Sequence, residues 1–190
     1  MECNIHYSLW GKGDEILVII PGQMGASDIE FSYFTQHVPD GLQLVTFHLR
    51  GCGKSKPPQV RQFPSHYYQQ DADDCASVMN KLNIQTYSVL GFCDGGVSAI
   101  KLAAKYPARV KKLFLLNSRS YITQHEVDVM HALDGNFSPD VLVDYIAVYG
   151  NEARTQQCYR SYLKSLDYFY TCGGDLCQSD LRNIQWSDFI

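Results

Sequence analysis

The sequence predicts an α/β protein with a mostly parallel, buried sheet, and three observations support this fold class. Short runs of β-branched and aliphatic residues alternate with segments whose apolar residues recur at helical spacing. The runs are apolar on both faces, which is typical of a parallel sheet covered by helices on both sides. Glycine-containing loops directly follow three of the runs. The expected strands are 5–9, 16–20, 44–48, 87–91 and 113–117.

Helices are expected between and after these strands. Residues 72–82 carry apolar side chains at helical spacing, and the acidic residues 71, 73 and 74 suit the positive N-terminal end of a helix. Residues 97–104 repeat the pattern until Pro107 ends it. Residues 121–181 contain no further strand pattern and are predicted to form short helices. Their aromatic side chains either pack in a helix core or line a pocket: Tyr145, Tyr149, Tyr159, Tyr162, Tyr168, Phe169 and Tyr170.

Composition narrows the class of protein. With 190 residues, 45% of them hydrophobic and 19% charged, the chain suits one globular domain. A formal net charge of −4 gives no basic surface for a nucleic acid partner. No signal peptide, transit peptide or membrane-length apolar run is visible, so a cytoplasmic protein without a membrane partner is expected. The 7 cysteines form no CxxC pair, which favours reduced thiols. Cys172 and Cys177 could bridge or bind a metal, but no second ligand pair accompanies them.

The segment "GFCDGG", residues 91–96, joins the fourth expected strand to a helix. It fits the pattern glycine, any residue, nucleophile, any residue, glycine at a strand-to-helix turn, which presents one side chain at a strained corner. Cys93 occupies the nucleophile position, and Gly91 and Gly95 let the flanking backbone pass close by. The helix N-terminus is expected to favour the Cys93 thiolate, and the backbone N–H of Asp94 to stabilise an oxyanion. The alternative is a small buried cysteine in a tight turn.

Two other glycine-containing loops follow strands. The loop "PGQMGAS" comes after the second strand, and Gln23 or Met24 would supply a second oxyanion N–H unless the loop is an ordinary turn. The segment "HLRGCGKS" follows the third strand. A phosphate-binding loop would need glycine where His48 stands, and Pro57 and Pro58 come where its helix should begin. The three loops together favour a hydrolase site over a nucleotide site.

Longer segments carry a resemblance. They are "PGQMGAS", "HLRGCGKSKPP", "FPSHYYQQDADDCASVMNKL", "YSVLGFCDGGVSAIKLAAKYPARVKKLFLLNSRSYIT" and "VYGNEARTQQCYRSYL". In this order they resemble the α/β-hydrolase fold, and most closely the biphenyl hydrolase-like proteins, also called valacyclovir hydrolases. The resemblance implies hydrolysis of α-amino-acid esters without a metal or organic cofactor, with a small-molecule ester as the partner. It makes Cys93 the nucleophile and gives Gln23, Met24 and Asp94 to the oxyanion hole. It also pairs the Asp94 carboxylate with the substrate's α-ammonium group.

The chain departs from that family at several points. The family has serine where this chain has Cys93, and an acidic residue where it has His48. A thiol can still serve as a nucleophile. The family also continues with further strands, a triad carboxylate and a histidine, whereas the only histidines after Cys93 here are His125 and His131. Solvent-facing roles are expected for both.

The resemblance also divides the chain. Residues 1–120 correspond to the N-terminal part of the hydrolase core, 121–181 to a helical cap, and 182–190 to the start of the next core strand, with the C-terminal strands lacking. The predicted function is hydrolysis of carboxylic esters, and the alternative is a non-catalytic binding protein that retains the cap. Without a base near Cys93, little turnover is expected from these residues alone.

Overall fold

A computed structural model describes residues 4–184 and contains a five-stranded sheet of order β1-β3-β2-β4-β5. Strand β1 pairs antiparallel with β3, and the other neighbours are parallel. The mostly parallel sheet is therefore confirmed, and all five predicted strands are present with bounds shifted by a few residues. The strands are β1 (Tyr7–Gly11), β2 (Glu15–Ile20), β3 (Leu42–Phe47), β4 (Tyr87–Phe92) and β5 (Val110–Leu116).

Eight helices occur within the described residues, and four of them lie beyond residue 121. They are α1 (Ser27–Glu30), α2 (Ser32–Gln36), α3 (Tyr67–Lys81), α4 (Gly95–Lys105), α5 (Gln124–Leu133), α6 (Pro139–Tyr149), α7 (Glu152–Thr171) and α8 (Gln178–Leu181). Helix α7 has 20 residues, so the expectation of only short helices after residue 121 is wrong. The sequence pattern also did not predict α1 and α2.

The start of α3 differs from the prediction. The helix begins at Tyr67, and its first turn contains no acidic residue. The helix begins before the acidic residues, which lie further along it and pair with cations from other segments. The pairs are Asp71 with Arg61, Asp73 with Lys105, and Asp74 with Arg50.

The sheet is buried on both faces, as the apolar runs predicted. Successive side chains of a strand point to opposite faces, so Val18 and Ile20 join the larger core while Leu17 and Ile19 join a smaller one. Helices α3 and α4 pack on the larger core, and Phe31 from the α1–α2 segment packs on the smaller one. This arrangement carries the loops after β2 and β4 to the same edge of the sheet.

The tyrosines after residue 121 divide between core and surface. Tyr149, Tyr159 and Tyr162 are buried in the larger core, which matches the prediction of helix core packing. Tyr168 is 49% exposed and lines an open cleft of about 370 Å³, and Phe169 lines another of about 330 Å³. Of the aromatic side chains in this segment, some therefore pack in the core and others line open clefts.

Strand β5 lies at one end of the sheet and exposes large apolar side chains. Phe114, Leu115 and Leu116 are 45–50% exposed.

Residues 182–183 form part of a turn, and the rest of the expected strand start, 185–190, lies outside the described residues. Between residues 4 and 184, no helix is both long and apolar enough to cross a membrane.

Candidate active site

A strained corner joins β4 to α4 and carries Cys93. The φ angle of Cys93 is +52°, in the left-handed region that non-glycine residues rarely adopt. A Cβ on Gly91 would lie 2.5 Å from the Cα of Gly96, and one on Gly95 would lie 2.2 Å from the carbonyl oxygen of Pro21. Both predicted glycines therefore sit where backbone segments meet closely. The backbone N–H of Cys93 donates to the carbonyl of Leu116 at 3.0 Å and fixes the corner to the end of β5.

The thiol of Cys93 is half-buried and donates to Oε1 of Gln23 at 3.4 Å. Burial raises the pKa of the thiol to about 11, and the neighbouring Asp94 carboxylate acts in the same direction. The backbone N–H of Asp94 and the Arg119 guanidinium act in the opposite direction but do not outweigh them. The helix N-terminus was expected to favour the thiolate, whereas the surroundings of Cys93 favour the neutral thiol.

The loop after β2 brings Gln23 beside Cys93. Met24 is buried, and its carbonyl accepts a hydrogen bond from the Tyr149 hydroxyl of α6 at 2.9 Å. The backbone N–H of Gly25 donates to the carbonyl of Gly22 at 3.0 Å, which closes a tight turn. The N–H groups of Gln23 and Met24, the expected oxyanion donors, bond no acceptor among residues 4–184. Their role as oxyanion donors remains a prediction.

The Asp94 carboxylate is buried in a polar cluster. It is 1% exposed, and its Oδ1 accepts from Nη2 of Arg119 at 2.9 Å. Its Oδ2 accepts from the hydroxyls of Tyr67 (3.3 Å), Tyr68 (2.9 Å) and Tyr162 (2.8 Å). The side chain lies inside the protein and makes no capping hydrogen bond at the start of α4. Pairing of Asp94 with a substrate remains a prediction.

The sequence alone did not identify Arg119 or the three tyrosines as partners of Asp94. Tyr67 and Tyr68 come from α3, Tyr162 from α7, and Arg119 from the segment after β5. One signal was available for Arg119, because it closely follows the carboxyl end of a parallel strand, the edge at which α/β proteins build their sites. The tyrosines gave no such signal, since their spacing matches ordinary helix packing.

Glu30 is a second carboxyl group at this site, and sequence analysis did not identify it. Its Oε2 accepts from the backbone N–H of Gly22 at 2.8 Å. A Cβ on Gly22 would lie 3.2 Å from Oε1 of Glu30 and 3.7 Å from the Cβ of Cys93, so both side chains border the same space. Burial raises the pKa of Glu30 to about 7, the Gly22 N–H lowers it, and the charge of Asp144 raises it further.

His48 and His131 each lie next to a carboxylate. Nε2 of His48 is 2.9 Å from Oδ1 of Asp28, and its Nδ1 accepts from the backbone N–H of Lys54. Nε2 of His131 is 2.8 Å from Oδ1 of the exposed Asp167. No hydrogen bond or ion pair within residues 4–184 joins a histidine to Cys93. The described part of the chain therefore brings Cys93 and the Gln23 loop together, and no histidine in it bonds the thiol.

Comparison with known proteins agrees with this geometry. The family described as "alpha/beta hydrolase fold" matches residues 15–142, which include β2 to β5, the Cys93 corner, α5 and the start of α6. The chain belongs to the α/β-hydrolase fold family. Within this family it is similar to the serine hydrolase BPHL of Homo sapiens, with 27% identity over 185 residues, and to that of Mus musculus, with 28% identity over 191 residues. The expected resemblance to biphenyl hydrolase-like proteins is confirmed.

The α/β-hydrolase relatives are longer than the chain. The matches cover 96% and 98% of this chain but only 63% of the human and 65% of the mouse protein. A carboxylesterase structure from the thaumarchaeon Nitrososphaera gargenis superposes with a TM-score of 0.70 at 17% identity. That match covers 96% of this chain and 74% of the other, and it supports the fold.

Proposed function

We propose that the full-length protein hydrolyses carboxylic esters with Cys93 as the nucleophile. The observation that carries the proposal is the left-handed corner at Cys93, which joins a parallel strand to a helix beside the Gln23 loop. Strain of this kind persists only where the surrounding packing imposes it, and here the close approaches at Gly91 and Gly95 do so. A buried cysteine with only a packing role would not require this backbone conformation.

In the proposed reaction the Cys93 sulfur attacks the ester carbonyl carbon after its proton has passed to a base. The carbonyl oxygen gains the negative charge and accepts hydrogen bonds from the backbone N–H groups of Asp94 and of Gln23 or Met24. The tetrahedral intermediate collapses to a thioester, and the alcohol leaves with a proton. Water then cleaves the thioester, which releases the acid and restores the thiol.

The proposal requires a base, because burial holds the pKa of Cys93 at about 11. At neutral pH nearly all of the thiol is protonated, and removal of its proton would limit the rate. The described residues place no histidine at Cys93. We therefore assign the base to parts of the full-length protein outside residues 4–184, since the human and mouse relatives are longer than the matched region.

For the substrate class, we propose α-amino-acid esters, on the basis of the similarity to biphenyl hydrolase-like proteins.

The non-catalytic alternative has one observation in its favour, namely the protonated state that burial imposes on Cys93. The two functions differ in whether turnover depends on this thiol.

The test measures steady turnover of p-nitrophenyl acetate and of an amino-acid ester by the full-length protein. We expect Cys93→Ala to abolish turnover, and Cys172→Ala to retain it, because Cys172 is an exposed thiol away from the corner. A wild-type protein that is no faster than its Cys93→Ala variant would support the binding-protein alternative. Far-UV circular dichroism of each variant checks that the fold is retained.

A further inference from the structure

We propose that Glu30 supplies the negative charge that binds a cationic group of the substrate, such as a free α-amino group. This inference rests on the proposed function, because it assumes that an ester binds at Cys93. It assigns recognition of the substrate's ammonium group to Glu30, whereas the family resemblance implied Asp94 for this role. Three features of the site support it: the saturation of Asp94, the uncompensated charge of Glu30, and the position of Glu30 beside the nucleophile.

Asp94 has little capacity left for a ligand. A carboxylate offers about four lone-pair positions. Arg119 and the hydroxyls of Tyr67, Tyr68 and Tyr162 already donate four hydrogen bonds to it. Arg119 also neutralises its charge at 2.9 Å. A substrate ammonium group would have to displace these donors from a side chain that is only 1% exposed.

Unlike Asp94, Glu30 has no positively charged partner among the described residues. No ion pair among residues 4–184 includes it, and its one hydrogen-bond donor is the neutral backbone N–H of Gly22. The charge of Asp144 of α6, another carboxylate, also acts on Glu30 and raises its pKa. Two acids with no cation between them attract a positively charged ligand. Such a ligand would also repay part of the cost of burying Glu30.

Position favours Glu30 as well. Its carboxyl group and the Cβ of Cys93 border the same space, on either side of Gly22. A Cβ on Gly25 would overlap the carboxyl group, so the loop accommodates Glu30 only because glycine occupies that position. In an α-amino-acid ester the ammonium nitrogen is bonded to the α-carbon, which is bonded to the carbonyl carbon under attack. The anchor for that nitrogen must therefore lie beside the nucleophile, where Glu30 is.

The main test uses full-length protein with phenylalanine ethyl ester and its N-acetyl derivative, which has no positive charge. We expect wild type to prefer the free amino ester in kcat/KM, and Glu30→Gln to reduce that preference by about tenfold or more. Asp94→Asn is expected to lower both activities together, and the exposed Asp140→Asn to keep the wild-type preference. Loss of the preference in Asp94→Asn but not in Glu30→Gln would overturn the inference. So would equal hydrolysis of both esters by wild type, although the proposed function would then stand.

A second measurement does not depend on turnover. Phenylalaninamide carries the ammonium group but is not an ester, and it is expected to protect Cys93 from iodoacetamide in wild type more than N-acetylphenylalaninamide does. Glu30→Gln should remove this difference, and Asp94→Asn should retain it. Equal protection by the two amides in wild type, or no protection by either, would overturn the role of Glu30. Absence of Cys93-dependent ester hydrolysis together with selective protection would refute only the proposed function.

Discussion

Nη2 of Arg119 lies 2.9 Å from Oδ1 of Asp94, the residue directly after the Cys93 corner. The same nitrogen donates to the hydroxyl of Tyr162 at 2.7 Å, and that hydroxyl donates to Oδ2 of Asp94. A closed network therefore joins the start of α4, the segment after β5 and the long cap helix α7. We infer that this network holds the cap on the hydrolase core.

The first prediction concerns this ion pair. Arg119→Met would leave the 1% exposed Asp94 carboxylate without its counter-charge, so the free energy of unfolding should fall by about 3 kcal/mol. Urea unfolding measures the loss. Arg160→Met on the exposed face of α7 is the matched control and should change stability by less than about 0.5 kcal/mol. Adding Asp94→Asn to Arg119→Met should recover part of the loss, and equal midpoints for the two arginine variants would contradict the prediction.

The second prediction concerns the pH dependence of stability. The pKa of Glu30 is about 7 in the folded protein against 4.5 as its ordinary value. Between these pH values the folded protein keeps a proton that the unfolded chain has released, so stability must fall as pH rises through this window. The total contribution is about 3 kcal/mol. Urea unfolding at pH 4.5 and pH 8 should show a smaller loss in Glu30→Gln than in wild type.

The exposed Glu152→Gln is the control for that experiment and should keep the wild-type difference between the two pH values. The comparison with wild type matters because other buried acids also titrate, and burial raises the pKa of Asp71 in the same direction. The prediction fails if the two glutamine variants lose equal stability between pH 4.5 and pH 8.

The third prediction orders the thiols by reactivity. Cys172 is exposed, Cys93 is half-buried, and Cys52 and Cys158 are fully buried. Burial raises the pKa of Cys93 to about 11 and that of Cys158 to about 12, so at pH 8 about one Cys93 thiol in a thousand is ionised. Among the cysteines of residues 4–184, limiting iodoacetamide and peptide mapping should label Cys172 first and Cys93 second. Labelling of Cys93 ahead of Cys172 would contradict this prediction and support the expectation that the helix N-terminus favours the Cys93 thiolate. Labelling of the urea-denatured protein gives the reference rate of each thiol.

The fourth prediction separates steric crowding from backbone strain. A methyl group at Gly95 would meet the carbonyl oxygens of Pro21 and Ile20 at 2.2 and 2.4 Å, so Gly95→Ala should lower stability by about 3 kcal/mol or more. Gly41 has φ +81° and open space around its Cβ position. Gly41→Ala should therefore cost only about 1 to 2 kcal/mol from strain. Thermal unfolding of the two variants measures the difference, and equal losses would show that the corner relaxes.

Much of the fold and part of the site could be predicted from sequence because they depend on local pattern. Apolar runs at strand spacing predicted all five strands, and the glycine pattern around Cys93 predicted the strand-to-helix corner. Both signals lie within a few consecutive residues. The start of α3 was missed because the acidic residues were assigned to its N-terminus, whereas the helix begins at Tyr67 and these residues pair with Arg50, Arg61 and Lys105 from distant segments.

The sequence by itself determined the class of sheet, the order of the five strands, the helices α3 and α4 between them, and the residue at the strand-to-helix corner. Only the tertiary structure decided the charge state around that corner. It buried Asp94 against Arg119 and brought the uncompensated Glu30 from α1 to the side of Cys93. The reason is physical: a pKa depends on burial and on charges within a few ångströms, and residues 30, 93 and 119 become neighbours only when the loops at one edge of the sheet assemble.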